Sequence, residues 1–214
     1  MKIKTFLGGY DKNLSYLVWC ESTKIAGIID ASVDPAKIID YINANDLILE
    51  KLLITHTHFD HIKYINNLII NFPNIKVCGH KKPEKKITSN YTGFEEYQTI
   101  ALGSELITIL FTPGHYPDSI CFWNKNDNVL FTGDTMFVGR TGRVLSSKSN
   151  IEDLYHSVYM KILKMPENVR IYPGHDYGKE MSILLEKNVE VSPLLQADDL
   201  EDFKRRMQDY EENR

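Results

Sequence analysis

Three imidazoles and a carboxylate fall within six residues, His56-Thr57-His58-Phe59-Asp60-His61. They follow directly on an apolar run, Lys51 to Thr55, that reads as a buried strand. Packing alone gives no reason for such crowding. Protonated, the rings repel one another, whereas a cation holds them neutral. His56 and His58, two apart in extended chain, point to one side, while Asp60 and His61 stand at the turn into the next helix and face a second point. Imidazole nitrogens and carboxylate oxygens are ligands that suit zinc, iron or manganese.

The rest of the chain adds to this segment. Of seven histidines, His115 and His175 each follow Pro-Gly, in Thr112-Pro113-Gly114-His115 and Tyr172-Pro173-Gly174-His175. Asp134 lies in Thr132-Gly133-Asp134-Thr135. Each stands just past a run that reads as a strand: Leu106 to Phe111, Val169 to Tyr172 and Val129 to Thr132. Loops that leave strand ends in an α/β sheet converge on one edge, where ligands bind. Five histidines and two aspartates exceed the roughly three protein ligands of one open catalytic metal. They match two metals ~3.5–4 Å apart that share a bridging carboxylate. His80 and His156 fall outside this scheme, and His156 reads as packed or surface.

Strands alternate with helical patterns along the whole chain, which indicates an α/β protein. Lys2 to Leu7, Leu14 to Cys20, Ile25 to Asp30, Ile75 to Gly79 and Ser119 to Trp123 complete the expected strands. Asp34-Pro35 starts a helix that ends near Asn45. A second helix carries Ile62, Ile65, Ile69 and Ile70 up to Phe72-Pro73. Ser149, with Glu152 three residues on, has the spacing of a capping box for a third. The last helix, Asp199 to Asn213, is strongly charged and has Phe203 and Met207 as its small apolar face. From His80 to Ala101 regularity weakens. Its lysines, Lys81, Lys82, Lys85 and Lys86, read as a solvated face, with Tyr91 and Phe94 as candidates for a lid.

With 214 residues, 43% hydrophobic and 25% charged, the chain can bury an ordinary core without disulfides or a structural metal. A net charge of -4 argues against a nucleic-acid binder that relies on bulk phosphate attraction. Cys20, Cys78 and Cys121 form no CxxC pair and read as reduced, buried residues. The N-terminus lacks the apolar core of a signal peptide, and no apolar stretch approaches the ~18 residues of a membrane span. A cytoplasmic protein without membrane partners is expected.

HxHxDH, then Pro-Gly-His, Gly-Asp and Gly-His, in this order, resemble the metallo-β-lactamase-fold superfamily, and the similarity runs from the N-terminal strands to Tyr177. Within it the chain is most similar to the glyoxalase II branch, the hydroxyacylglutathione hydrolases, and to their relatives the persulfide dioxygenases. The resemblance implies a four-layer αβ/βα sandwich, with a catalytic domain over residues 1–190 and a short C-terminal helical extension over 191–214. It implies His56, His58 and His115 at a first divalent metal, Asp60, His61 and His175 at a second, and Asp134 bridging, with zinc first and iron or manganese as alternatives. Arg143 matches the arginine of the family's Gly-Cys-Gly-Arg loop, here Arg140-Thr141-Gly142-Arg143, so Thr141 stands at the cysteine position. Tyr177 matches a tyrosine that touches the glutathione moiety in glyoxalase II. Only 39 residues (214 minus 175) follow His175, fewer than the helical domain that completes the glutathione site there.

The implied activity is hydrolysis of a thioester or related ester, with a small-molecule substrate, a glutathione conjugate among the options. A hydroxide generated at the two metals attacks the carbonyl, and Asp60 both binds metal and orients the nucleophile. The alternative is a mononuclear iron persulfide dioxygenase in which His56, His115 and Asp134 form the 2-His-1-carboxylate triad. Leu154-Tyr155-His156-Ser157-Val158 and His175-Asp176-Tyr177 resemble that group, but Val144-Leu145-Ser146 stands where it has Thr-Asp-Phe after the arginine. A non-enzymatic metal-binding domain is disfavoured, because no ligand position is missing.

Overall fold

The computed structural model describes residues 1–88 and 90–213. Strand β1 (Lys2–Gly8) pairs antiparallel with β2 (Asn13–Trp19), and β2 with β3 (Ile25–Ile29). In β2, Leu14, Tyr16 and Val18 join one buried cluster and Leu17 another, as the two-residue period requires. A strand buried on both faces must lie between two layers. Helix α1 (Ala36–Ala44) carries the chain across to β4 (Ile48–Leu53), and α2 (Phe59–Ile62) and α3 (Ile65–Asn71) carry it on to β5 (Lys76–His80). Strand β6 (Tyr91–Phe94) closes a first sheet of order β1-β2-β3-β4-β5-β6.

The second sheet grows from β7 (Thr99–Leu102), β8 (Glu105–Phe111), β9 (Ile120–Asn124) and β10 (Val129–Gly133). A hairpin of β11 (Met136–Phe137) and β12 (Arg140–Thr141) follows. Helix α4 (Ile151–Tyr155) runs on as a π turn over His156–Lys161 and a 3-10 turn over Ile162–Lys164. Then come β13 (Arg170–Pro173), β14 (Ile183–Leu184), α5 (Leu185–Val191), a 3-10 turn over Pro193–Leu195 and α6 (Leu200–Glu212). The sheet order is β14-β13-β10-β9-β8-β7, with β13 parallel to β10.

Three apolar clusters hold the layers. One, with Leu14, Tyr16, Ile29, Leu53, Ile109 and Phe122, fills the space between the sheets. A second packs Ile38, Ile42, Ile65 and Leu68 onto the outside of the first sheet. The third packs Leu154, Val158, Leu185, Phe203 and Met207 onto the second. The expected αβ/βα sandwich is thus the observed one. Phe203 is fully buried, its ring 5.7 Å from that of Tyr155 and 5.8 Å from that of Tyr159. Phe203→Ala is expected to lower unfolding stability by about 3–5 kcal/mol, read from a denaturant midpoint.

Four local expectations need correction. The run from Ile62 to Phe72 is two helices, because the Tyr64 N–H turns aside to donate to the Ala31 carbonyl at 3.0 Å. Ser149 is not the cap of α4. Asn150 accepts from the N–H groups of Glu152 and Asp153, while the Ser149 hydroxyl donates to the His115 carbonyl at 2.8 Å. The segment from His80 to Ala101 holds two short strands, and Phe94 is buried between the sheets, so it is not part of a lid. Tyr91 packs beside the outer cluster of the first sheet, its hydroxyl donating to the His80 carbonyl at 2.7 Å. These strands of four residues are too short to display a period, and a glycine interrupts one of them. The lysines Lys81, Lys82, Lys85 and Lys86 do include exposed ones on a polar surface, Lys81 paired with Glu95. All three cysteines are free and buried, as expected. His156 is exposed. Among the described residues no helix is long and apolar enough to cross a membrane.

Candidate metal centre

The chain leaves β4 in extended form as far as His58 (φ -61°, ψ 146°) and then turns at once into α2. That change of conformation splits the cluster as its spacing implies, with His56 and His58 before the helix and Asp60 and His61 on its first turn. His115 follows β8, Asp134 follows β10 and His175 follows β13. All seven residues meet at one edge of the sandwich.

Buried carboxylates fix this backbone. Asp30, just past β3, takes a left-handed conformation (φ 58°), which aspartate tolerates better than most side chains. Its carboxylate accepts from the Thr55 N–H at 2.8 Å and from the Thr55 hydroxyl at 2.7 Å. It also lies 2.8 Å from His61 Nδ1. Asp118 holds Thr57 in the same manner, through the N–H at 3.1 Å and the hydroxyl at 2.6 Å. The His115 turn is gripped by the π turn that continues α4, where the Ser157 hydroxyl donates to the Pro113 carbonyl at 2.7 Å. Gly174 has no freedom to be anything larger, since a Cβ there would stand 2.3 Å from Asp134 Oδ1.

Two groups of ligand atoms result: His56, His58, His115 and Asp134 in one, Asp60, His61 and His175 in the other, each set lying within 4.8 Å of one another. His58 Nδ1 is 2.9 Å from His56 Nε2 and 3.0 Å from His115 Nε2. The Asp134 carboxylate stands between the groups. Its Oδ2 is 3.6 Å from His115 Nε2 and 3.3 Å from His175 Nε2, and its Oδ1 is 3.3 Å from His61 Nε2. Asp60 Oδ2 lies 3.3 Å from His175 Nε2 and accepts from the Asn13 side-chain amide at 2.8 Å.

This donor set fits cations. His115 Nδ1 donates to the Arg143 carbonyl, His175 Nδ1 to the Asp11 carbonyl and His61 Nδ1 to Asp30, all at 2.8 Å. His56 Nδ1 sits 3.2 Å from the Thr55 hydroxyl, which already donates to Asp30 and can only accept. Four rings therefore carry their proton on Nδ1 and turn an Nε2 lone pair inward, the arrangement that outer hydrogen bonds impose on metal-binding histidines. His58 Nδ1 can donate to one of its two neighbours, not both. Asp134 Oδ1 is buried and makes no hydrogen bond at all. Burial and the surrounding imidazoles push His56 down and His58 to about 4. Burial opposes charge on His61 and His175 too, yet Asp134 and the nearby carboxylates raise both, His175 to about 10. Without a cation, protons are drawn in to balance the two inner carboxylates. Asp30→Ala removes the partner that orients His61 and is expected to weaken metal binding about 10–100-fold, measured by competition with a chromophoric chelator.

The mouth of the site is a cavity of ≈ 170 Å³. Tyr177 stacks on His175 at 4.9 Å with rings 3° from parallel, and its hydroxyl donates to Asp11. Arg143 lines the same cavity, but its guanidinium is engaged by Glu211 of α6 at 2.8–3.2 Å. Arg140 lies 4.2 Å over the Tyr177 ring. Asp30, Asp118, Asn13 and Arg140 were not among the residues read from the sequence. Asp30 had a signal, closing a buried strand much as Asp134 does; Asn13 had none.

A profile of the Metallo-beta-lactamase superfamily matches residues 8–175. The chain belongs to this superfamily. A hydroxyacylglutathione hydrolase of Francisella tularensis subsp. novicida (strain U112) is 34% identical over 181 residues, covering 83% of this chain and 68% of that one. One of Legionella pneumophila (strain Lens) is 37% identical over 164 residues, covering 75% and 62%. The chain thus spans about two thirds of the length of these relatives. The crystal structure of ETHE1 from Myxococcus xanthus matches with a TM-score of 0.87 at 25% identity, over 98% of this chain and 91% of that one. Membership of the metallo-beta-lactamase superfamily, relatives of this kind and the two His/Asp groups mark the chain as a metallo-hydrolase that takes divalent metal.

Proposed function

We propose that this enzyme hydrolyses a thioester, or a closely related ester, with two divalent ions, zinc first among them. His56, His58 and His115 would hold one ion, Asp60, His61 and His175 the other, and Asp134 both. The observation that carries this reading is the Asp134 carboxylate, standing within 3.6 Å of ring nitrogens from both groups. Ions bound there lower the pKa of a water toward ~7 and polarise a carbonyl oxygen.

The chain's own residues do the positioning. Asp60, fixed by Asn13 and facing His175, accepts a hydrogen bond from the attacking water and aims it at the carbonyl carbon. The C–S bond breaks, the acyl group leaves as a carboxylic acid, and the thiolate needs no strong acid to depart. His58, with Tyr116 packed 4.1 Å from its ring, lines the cavity, and Tyr177 with Arg143 borders its mouth. The relatives' name makes S-lactoylglutathione the first substrate to try.

The test is metal content by mass spectrometry together with thioester hydrolysis by protein reconstituted with zinc, iron or manganese. Two ions per chain and hydrolysis are expected. A single iron with oxygen uptake on glutathione persulfide, and no hydrolysis, would replace this reading with a dioxygenase.

A further inference from the structure

Two arginines border the cavity, and their surroundings differ. Arg143 presents its fork to Glu211 through three contacts of 2.8–3.2 Å, a bidentate pair that satisfies its charge within the protein. Arg140 makes no ion pair among the described residues. Its guanidinium carbon lies 4.2 Å over the Tyr177 ring, with the Phe137 and Tyr210 rings at 5.9 and 6.0 Å. One N–H donates to the Tyr210 hydroxyl. Beyond that bond, its other N–H donors have no hydrogen-bond partner among the described residues, and a guanidinium has about five in all.

Position matters as much as charge. Tyr177 stacks in turn on His175, so Arg140, Tyr177 and His175 form one continuous pile leading from the mouth to the inner ligands. Arg140 also lines the cavity that His58, Asp60 and Asp134 open into. The acidic groups there have other partners: Asp11 takes the Tyr177 hydroxyl, and Asp60 and Asp134 face imidazoles. A guanidinium with no ion pair among the described residues, in a site of ≈ 170 Å³ beside the reacting position, is a receptor for a planar anion.

We propose that Arg140, not Arg143, anchors a carboxylate carried by the substrate, and that the enzyme prefers small thioesters bearing one. This rests on the thioesterase reading above. The carboxylate can sit on the leaving thiol or on the acyl group, and the measurement separates the two. Turnover is compared for the acetyl thioesters of mercaptopropionate and of its neutral amide, and for the acetyl and succinyl thioesters of that amide. In one of the two pairs the wild type is expected to favour the charged member by about 10- to 100-fold in kcat/KM, and the pair that responds identifies the side. Arg140→Ala should bring that ratio close to one, while Arg143→Ala keeps most of it.

A second measurement does not depend on turnover. Calorimetric binding to the metal-loaded protein is compared for mercaptopropionate and mercaptopropionamide on the thiol side, and for succinate and succinamate on the acyl side. The pair on the responding side should differ by a similar factor in the wild type, and by much less in Arg140→Ala. If no thioester is hydrolysed but the affinity difference still vanishes with Arg140, the anion anchor stands and the reaction assignment falls. A wild-type preference that survives in Arg140→Ala, that is lost only in Arg143→Ala, or that is absent from both measurements overturns the proposal.

Discussion

Asp134→Ala is expected to reduce turnover by more than about 100-fold, beyond the 10–100-fold that loss of an outer hydrogen-bond partner costs at a metal site. The reason is its place between the two ligand groups, with oxygens 3.3 Å from His61 and His175 and 3.6 Å from His115. Removing any one histidine depletes one group, whereas removing this carboxylate depletes both. It also leaves His61 and His175 without the anion that holds their charge. Metal per chain should fall together with the rate, and far-UV circular dichroism should not change, because the apolar clusters do not include Asp134. A variant that keeps two ions and near-normal turnover would show that the carboxylate is not shared. Asp134→Asn, which preserves shape and removes charge, should resemble the alanine variant more than the wild type.

Exhaustive chelation is expected to abolish hydrolysis while the sandwich stays folded. Free water has a pKa near ~15.7, against ~7 beside a suitable ion, so the attacking species all but disappears when the ions leave. The protein then loses only the linkage contribution of bound ligand, about 4 kcal/mol for each ion at a thousandfold excess over its dissociation constant. Thermal unfolding should therefore move to lower temperature and remain cooperative. Restoring activity with one metal at a time identifies the productive ion. Hydrolysis that persists with metal content at background would sink the proposed mechanism outright.

The candidate ligand positions were legible because each stands where a recognisable strand stops: Thr55, Phe111, Thr132 and Tyr172 all precede a chemistry-bearing residue by only a few positions. The architecture was legible for a related reason, since buried strands such as Lys51 to Thr55 alternate with amphipathic helices. What escaped lies in contacts between residues far apart in the chain. Asn13 and Asp60 meet across 47 positions, and Arg143 and Glu211 across 68. No local period encodes such pairs. The match of Arg143 to the arginine of the family's loop, and so to a candidate substrate-binding residue, marks its place at the cavity, but not the carboxylate that α6 brings to it. Short strands such as β6 and β7 were missed because four residues rarely outweigh a run of polar neighbours.

The four inner residues of the first cluster descend from the first sheet, whereas His115, Asp134 and His175 descend from the second. Backbone bonds also stitch the sheets at this edge, from Leu14 N–H to the Gly174 carbonyl and from Ile120 N–H to the Thr55 carbonyl, both at 2.8 Å. Bound ions at such a seam act as rivets between two plates. With ions held as proposed, neither sheet can loosen by itself without carrying candidate ligands out of reach, so slow amide exchange in β4 and in β10 should rise and fall together. Stripped of ions, the two plates are free to breathe at separate rates.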